Sequence, residues 1–203
     1  IPTRNLIPTE RKPTFVLTTP FPPDDRSTGF ERGTSISPEW HEATTFAAIE
    51  TASFVTTHLR TFSGVKRDDK DAPARIRDFC VQFAERAFRR PLSDEERAIY
   101  VDRQFEESPD ADTAVKRVVL LVLKSPRFLY REAKVGEFDD YDVASWLAFT
   151  LWDSIPDKSL MDAAARGQLR TAQEIRRHAD RMSGDLRARA KMREFLHQWL
   201  KLD

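Results

Sequence analysis

The sequence predicts an all-α protein, a multi-helix orthogonal bundle with an extended proline-rich N-terminal arm. Three observations carry this. From residue 37 onward apolar residues recur at the spacing of a helix packed on one face. Each such stretch is bounded by Ser, Thr, Asp, Gly or Pro where caps and stops belong. Six glycines among 203 residues are few for a turn-rich β-fold.

Six of the twelve prolines fall within the first 23 residues, at Pro2, Pro8, Pro13, Pro20, Pro22 and Pro23. Proline fixes φ and lacks an amide donor, so residues 1–36 read as an extended arm. The apolar residues Ile1, Leu6, Ile7, Phe15, Val16, Leu17, Phe21 and Phe30 place that arm on a surface, with a short edge strand near residues 15–18. The expected occupant of this surface is other polypeptide, in a homo-oligomer or a larger assembly.

Ser37-Pro38 is an N-cap followed by proline at the first helical position. The helix it opens should run over 38–62 and stop at Gly64. Pro73 opens a second helix with Ile76, Phe79, Cys80, Phe83, Ala84 and Ala87 on one face, and Pro91 stops it. Ser93 and Glu96 form a capping box for a third helix, to about residue 107. A fourth covers 112–124, after which Phe128, Leu129 and Tyr130 form a short extended or 3₁₀ piece. Asp139 or Asp140 caps a fifth over 141–152. Asp157 caps a sixth that ends at Gly167. Thr171 and Glu174 box a seventh, to Ser183, and Asp185 caps an eighth. The eighth carries an apolar face of Ala188, Met192, Phe195, Leu196 and Trp199. The fourth and fifth helices are apolar almost all round, so both should be buried on all sides and form the core. Leu121→Ala and Leu147→Ala should each cost about 2–5 kcal/mol there. Residues 37–133 and 134–203 read as two helical regions of one continuous body.

Composition narrows the function. Thirty-three basic residues balance thirty-three acidic ones, which gives no global attraction to nucleic acid or an anionic membrane. No apolar run approaches the roughly 18 residues of a membrane span. Cys80 is the only cysteine, so an internal disulfide, a CxxC knuckle and a CxxCH haem attachment are excluded. Its place beside Phe79 and Phe83 reads as a small hydrophobe rather than a nucleophile. The chain begins at Ile1 without a signal-peptide pattern and reads as a fragment or a processed product.

Chemistry is sparse. The serine-hydrolase, zincin, Walker A and dinucleotide motifs are absent. His41, His58, His178 and His197 have no histidine partner at helical spacing, so no metal site and no cofactor is expected in this chain. His197, beside Phe195 and Trp199, is the candidate axial or acid–base histidine; a surface histidine is the plainer reading. Asp153 and Asp157 flank a turn and are the candidate carboxylate pair for acid–base work or for a cation; a helix end and a helix cap are the plainer roles. Arg89-Arg90-Pro91 suits an anion, or offsets the end of the second helix. Trp146, Trp152 and Trp199 suit a sugar-stacking platform, or the core. From residue 134 to 162 two basic residues meet seven acidic ones; from 166 to 203 ten basic meet five acidic. Such segments either neutralise each other or leave a basic groove for an external anion.

A series of motifs then appears in order: Phe21-Pro22-Pro23-Asp24-Asp25-Arg26 with Gly29-Phe30, Phe83-Ala84 through Phe88-Arg89-Arg90-Pro91-Leu92, Ser125-Pro126-Arg127-Phe128-Leu129-Tyr130-Arg131, Leu151-Trp152-Asp153-Ser154-Ile155-Pro156-Asp157 and Gln198-Trp199-Leu200. The series resembles uncharacterised multi-domain exported proteins abundant in planctomycetes, often fused to c-type cytochrome domains. The resemblance implies an extracytoplasmic location, periplasmic or secreted. It also implies a larger parent polypeptide, and c-type haem in an associated domain or partner. It supplies no reaction. The expected role is a non-catalytic helical structural or docking module of a redox-associated protein. The alternative is an enzyme or binding module for an anionic or carbohydrate ligand, using Asp153, Asp157 and the basic C-terminal helices.

Overall fold

The computed structural model describes residues 14–22, 37–66, 69–130 and 138–201. Most of the arm expected over 1–36, including Pro23 to Phe30, lies outside the described residues. Among those described, every regular element is helical and none is a strand. The fold is all-α. The chain divides into two compact units, Ile1–Ala84 with Ser93–Leu129, and Glu85–Leu92 with Tyr130–Asp203.

In the first unit, α1 (Pro38–Thr57) starts where the Ser37 side chain accepts the Trp40 amide. The expected single helix over 38–62 is broken at His58, and α2 (Leu59–Ser63) follows. The cause is local. The Thr56 hydroxyl donates to the Ala52 and Ser53 carbonyls, and Thr57 to Ser53. Such back-bonds compete with the helical ladder and bend it. Gly64 closes α2 at φ 68°, a left-handed turn that suits glycine.

Helix α3 (Ala72–Phe88) begins in the first unit and ends in the second. Its Cys80 is buried, and burial pushes the thiol up to about 12; it is an inert core residue. Ser93 and Glu96 form the expected capping box of α4 (Asp94–Arg97). The third helix is not uniform: a π-helical turn, Ala98–Asp102, separates α4 from α5 (Arg103–Glu106). That turn buries Val101, brings the Tyr100 hydroxyl to 3.0 Å from Ser125 Oγ and sets Asp102 against Arg77 at 3.1 Å.

Helix α6 (Ala111–Lys124), capped by Asp110, packs along α1. Their buried residues are mostly small on α1 (Ala43, Ala48, Ala52, with Val55) and mostly branched on α6 (Val115, Val118, Val119, Val122, with Ala114). Lys124 ties the pair by donating to the hydroxyls of Thr44 and Thr45, at 3.1 and 2.8 Å. One expectation fails here: α6 is not buried on all sides, and Leu121 is 42% exposed. The segment after it is a single α-turn, α7 (Pro126–Leu129), not an extended or 3₁₀ piece.

Residues 14–22 lie on α1 and do not form the expected edge strand. The Glu50 carboxylate takes the amides and hydroxyls of Thr18 and Thr19 at 2.7–3.0 Å. Phe15 meets Phe54 at 4.7 Å and Phe21 meets Trp40 at 5.4 Å between ring centroids. One side chain thus supplies the acceptors that a neighbouring strand would have supplied. The Thr18 amide, first among these donors, holds Glu50 below the usual carboxylate range. Glu50→Gln should speed limited proteolysis within residues 14–22 while leaving the helical far-UV spectrum unchanged.

The second unit contains α8 (Asp140–Trp152), α9 (Lys158–Ala165), α10 (Ala172–Ser183) and α11 (Leu186–Leu200). Asp139 with Asp142, and Thr171 with Glu174, form capping boxes; Asp157 caps α9. Asp185 accepts the Arg187 amide at 2.9 Å. The core gathers Ala144, Leu147, Ala148 and Trp152 of α8, Leu160, Ala163 and Ala164 of α9, with Leu169 and Met182. Helix α8 is not buried all round either, because Trp146 is 50% exposed.

Candidate functional site

The carboxylates and cations singled out in the sequence meet in the second unit, but each finds a partner within the chain. Asp153 is the left-handed C-cap of α8. Its Oδ1 accepts from Lys191 Nζ at 2.6 Å, and the same ammonium donates to the Phe149 carbonyl at 2.6 Å. Lys191 thereby neutralises both the carboxylate and the negative end of α8. Asp157 accepts the Leu160 amide at 2.9 Å and a two-pronged bond from Arg181 at 2.8 and 3.3 Å. Burial works against its charge, but the Arg181 and Leu160 hydrogen bonds outweigh it and hold the carboxyl below its usual range. Asp153 and Asp157 are therefore engaged by different cations, the first at the C-cap of α8 and the second at the N-cap of α9.

The other candidates also have partners within the chain. The Arg90 guanidinium bonds Asp139 at 3.1 Å and Asp142 at 2.6 Å, both members of the α8 capping box. Arg89 is buried, donates to the Ala87 carbonyl and stands over the Phe149 ring. Trp152 is buried; its indole N–H donates to the Met182 carbonyl at 3.0 Å. Arg187 lies 3.5 Å from its ring centroid and Arg181 5.5 Å, contacts that cations over an indole favour. Asp185 binds the same Arg187 guanidinium at 2.9 Å, and its hydrogen bonds from Arg187 lower the carboxyl to about 2. Trp152 therefore belongs to the core and cannot join Trp146 and Trp199 as a sugar platform.

His197 is exposed. It follows Phe195 by two positions, and residues two apart on a helix do not share a face. Phe195 and Trp199, four apart, stack at 6.1 Å. Among the described residues no group of three or more His, Cys, Asp or Glu side chains is placed to hold a metal ion.

Two features escaped the sequence reading. The first is His178, 8% exposed, with no protein partner for either ring nitrogen. Its signal was available: Ile175, His178, Ala179 and Met182 recur at helical spacing, which puts His178 on the buried face of α10. Burial first, then Arg181, Arg177 and Arg166, hold its pKa below the ordinary histidine value, with Asp157 pulling the other way. The unfolded chain therefore takes up this proton first as pH falls. Stability contributed by neutral His178 is complete above the ordinary histidine range and is lost as pH drops from that value toward the depressed folded one. Urea midpoints should fall between about pH 7 and 5, and His178→Leu should flatten that slope.

The second feature is the exposure of the apolar face of α11. Ala188 and Lys191 do lie against the body of the unit. The stripe then continues exposed: Met192 is 58% exposed, Phe195 54%, Trp199 69% and Leu200 53%. Large apolar residues clustered on one exposed face mark a contact surface. Arg189 and Arg193 accompany them, exposed and without ion-pair partners among the described residues.

Residues 75–132 match a family model described as PSD5, protein of unknown function (DUF1595). Residues 138–203 match one described as PSD4, protein of unknown function (DUF1592). No curated protein and no solved structure matches the chain. The chain thus joins two stretches similar to families whose function is unknown. No helix among the described residues is long and apolar enough to cross a membrane.

Proposed function

We propose that this chain is a non-catalytic helical docking module, and that the exposed stripe of α11 is the surface it docks with. The occupant is a helix of an adjoining domain in the parent polypeptide, apolar on one face and acidic along its edge. Three things support this. The stripe prolongs the seam that Ala188 and Lys191 make within the chain, so it suits one more helix in the same layer. Arg189 and Arg193 beside it call for carboxylates. They also weigh against a symmetric antiparallel pairing of two copies, which sets each flank against its own like.

The internal ion pairs of Asp153, Asp157, Asp139 and Asp142 support the non-catalytic part, because they consume the charges an anion or sugar site would have used. Export to an extracytoplasmic compartment, redox association and a c-type cytochrome neighbour enter through the resemblance of the motif series. In this reading any haem is carried by that neighbour.

Photo-crosslinking from position 195 in the protein expressed from its full reading frame tests the proposal. The expected product joins α11 to an acidic segment of an adjoining domain. Crosslinks between two copies of α11, or none at all, would overturn it.

A further inference from the structure

A cleft of about 420 Å³ opens in the first unit where α1 breaks into α2, within the size range of small-molecule sites. Its lining includes His58, Arg60, Thr61 and Lys66 together with Asp69 and Asp112. His58 is held firmly. Its Nδ1 lies 2.9 Å from the Phe54 carbonyl oxygen, and its ring packs 4.4 Å from Phe54 and 6.3 Å from Phe62. A carbonyl oxygen can only accept, so Nδ1 carries the proton. In the neutral ring Nε2 is then a bare acceptor, and no hydrogen bond to it occurs among the described residues.

Among the described lining residues the charges are unequally engaged. Arg60 and Lys66 have no ion-pair partner among the described residues. Asp69 is already engaged by Arg75 at 3.2 Å and by the Asp71 amide at 3.0 Å. Among the described lining residues, Asp112 is the one carboxylate left against the two cations.

We propose that this cleft binds a compact oxyanion that retains a hydroxyl, of which hydrogen phosphate is the simplest. Arg60 and Lys66 supply the attraction, and the ligand's O–H donates to His58 Nε2. The hydroxyl is required by the tautomer: an oxyanion with acceptors alone would set its lone pairs against that of Nε2. The site is independent of α11 and gives the first unit a ligand of its own.

Amide NMR titrations near neutral pH with inorganic phosphate and with sulfate, which lacks a hydroxyl there, test this. Phosphate should shift the amides of residues 58–66 saturably, and about tenfold more tightly than sulfate. Arg60→Ala with Lys66→Ala, both on exposed side chains, should weaken phosphate by about tenfold or more. His58→Phe keeps the aromatic packing and should bring phosphate down to the level of sulfate. Should His58→Phe fail to fold, the charge variants and the anion comparison still decide. Equal binding of the two anions, shifts that do not saturate, or charge variants that titrate like the parent would each overturn the proposal.

Discussion

Replacing Trp152 with alanine is expected to cost about 3–5 kcal/mol, the upper range for truncating a buried aromatic. The indole fills the centre of the second unit and carries the Arg187 and Arg181 guanidinia on its ring. Its removal also takes the indole donor from the Met182 carbonyl at the end of α10, leaving it to backbone amides alone. Because Arg187 belongs to α11 and Met182 to α10, both helices should loosen together. Urea denaturation read by far-UV circular dichroism measures the loss. A change under about 1 kcal/mol would show that Trp152 does not organise this unit.

The second large effect separates two leucines that the sequence makes look alike. Leu147 is 3% exposed within the α8 core, whereas Leu121 on α6 is 42% exposed. Leu147→Ala should cost about 2–5 kcal/mol. Leu121→Ala should stay near or below about 0.5 kcal/mol, as for ordinary surface changes. Comparable losses at both positions would restore the expectation that α6 is buried on every side.

The helix boundaries were legible because they are local chemistry. Ser93 with Glu96, Thr171 with Glu174, and Asp157 each cap a helix through a bond three residues away. The break at His58 was less legible: it comes from the hydroxyls of Thr56 and Thr57 competing for carbonyls three and four residues back, a local effect of side chains that also occur in straight helices. The run Val118 to Leu123 hid the exposure of Leu121 because apolar content reports what can be buried, not which side has a neighbour. The same limit applies to α11. Its stripe was plain in the sequence, and its exposure was not, since exposure depends on what lies opposite. The ion pairs of Asp153 with Lys191 and Asp157 with Arg181 were foreshadowed by the opposed charge of the two segments; the choice of partner needed coordinates.

Hydroxyl-radical footprinting of α11 tests the docking role most directly, because methionine, phenylalanine and tryptophan each report their own exposure by mass spectrometry. In the chain of 203 residues, Met192, Phe195 and Trp199 should label heavily, as their exposure requires. In the protein expressed from its full reading frame, the account predicts that all three become protected while Trp146, exposed on α8, labels as before. Equal labelling of Met192, Phe195 and Trp199 in both forms would contradict it.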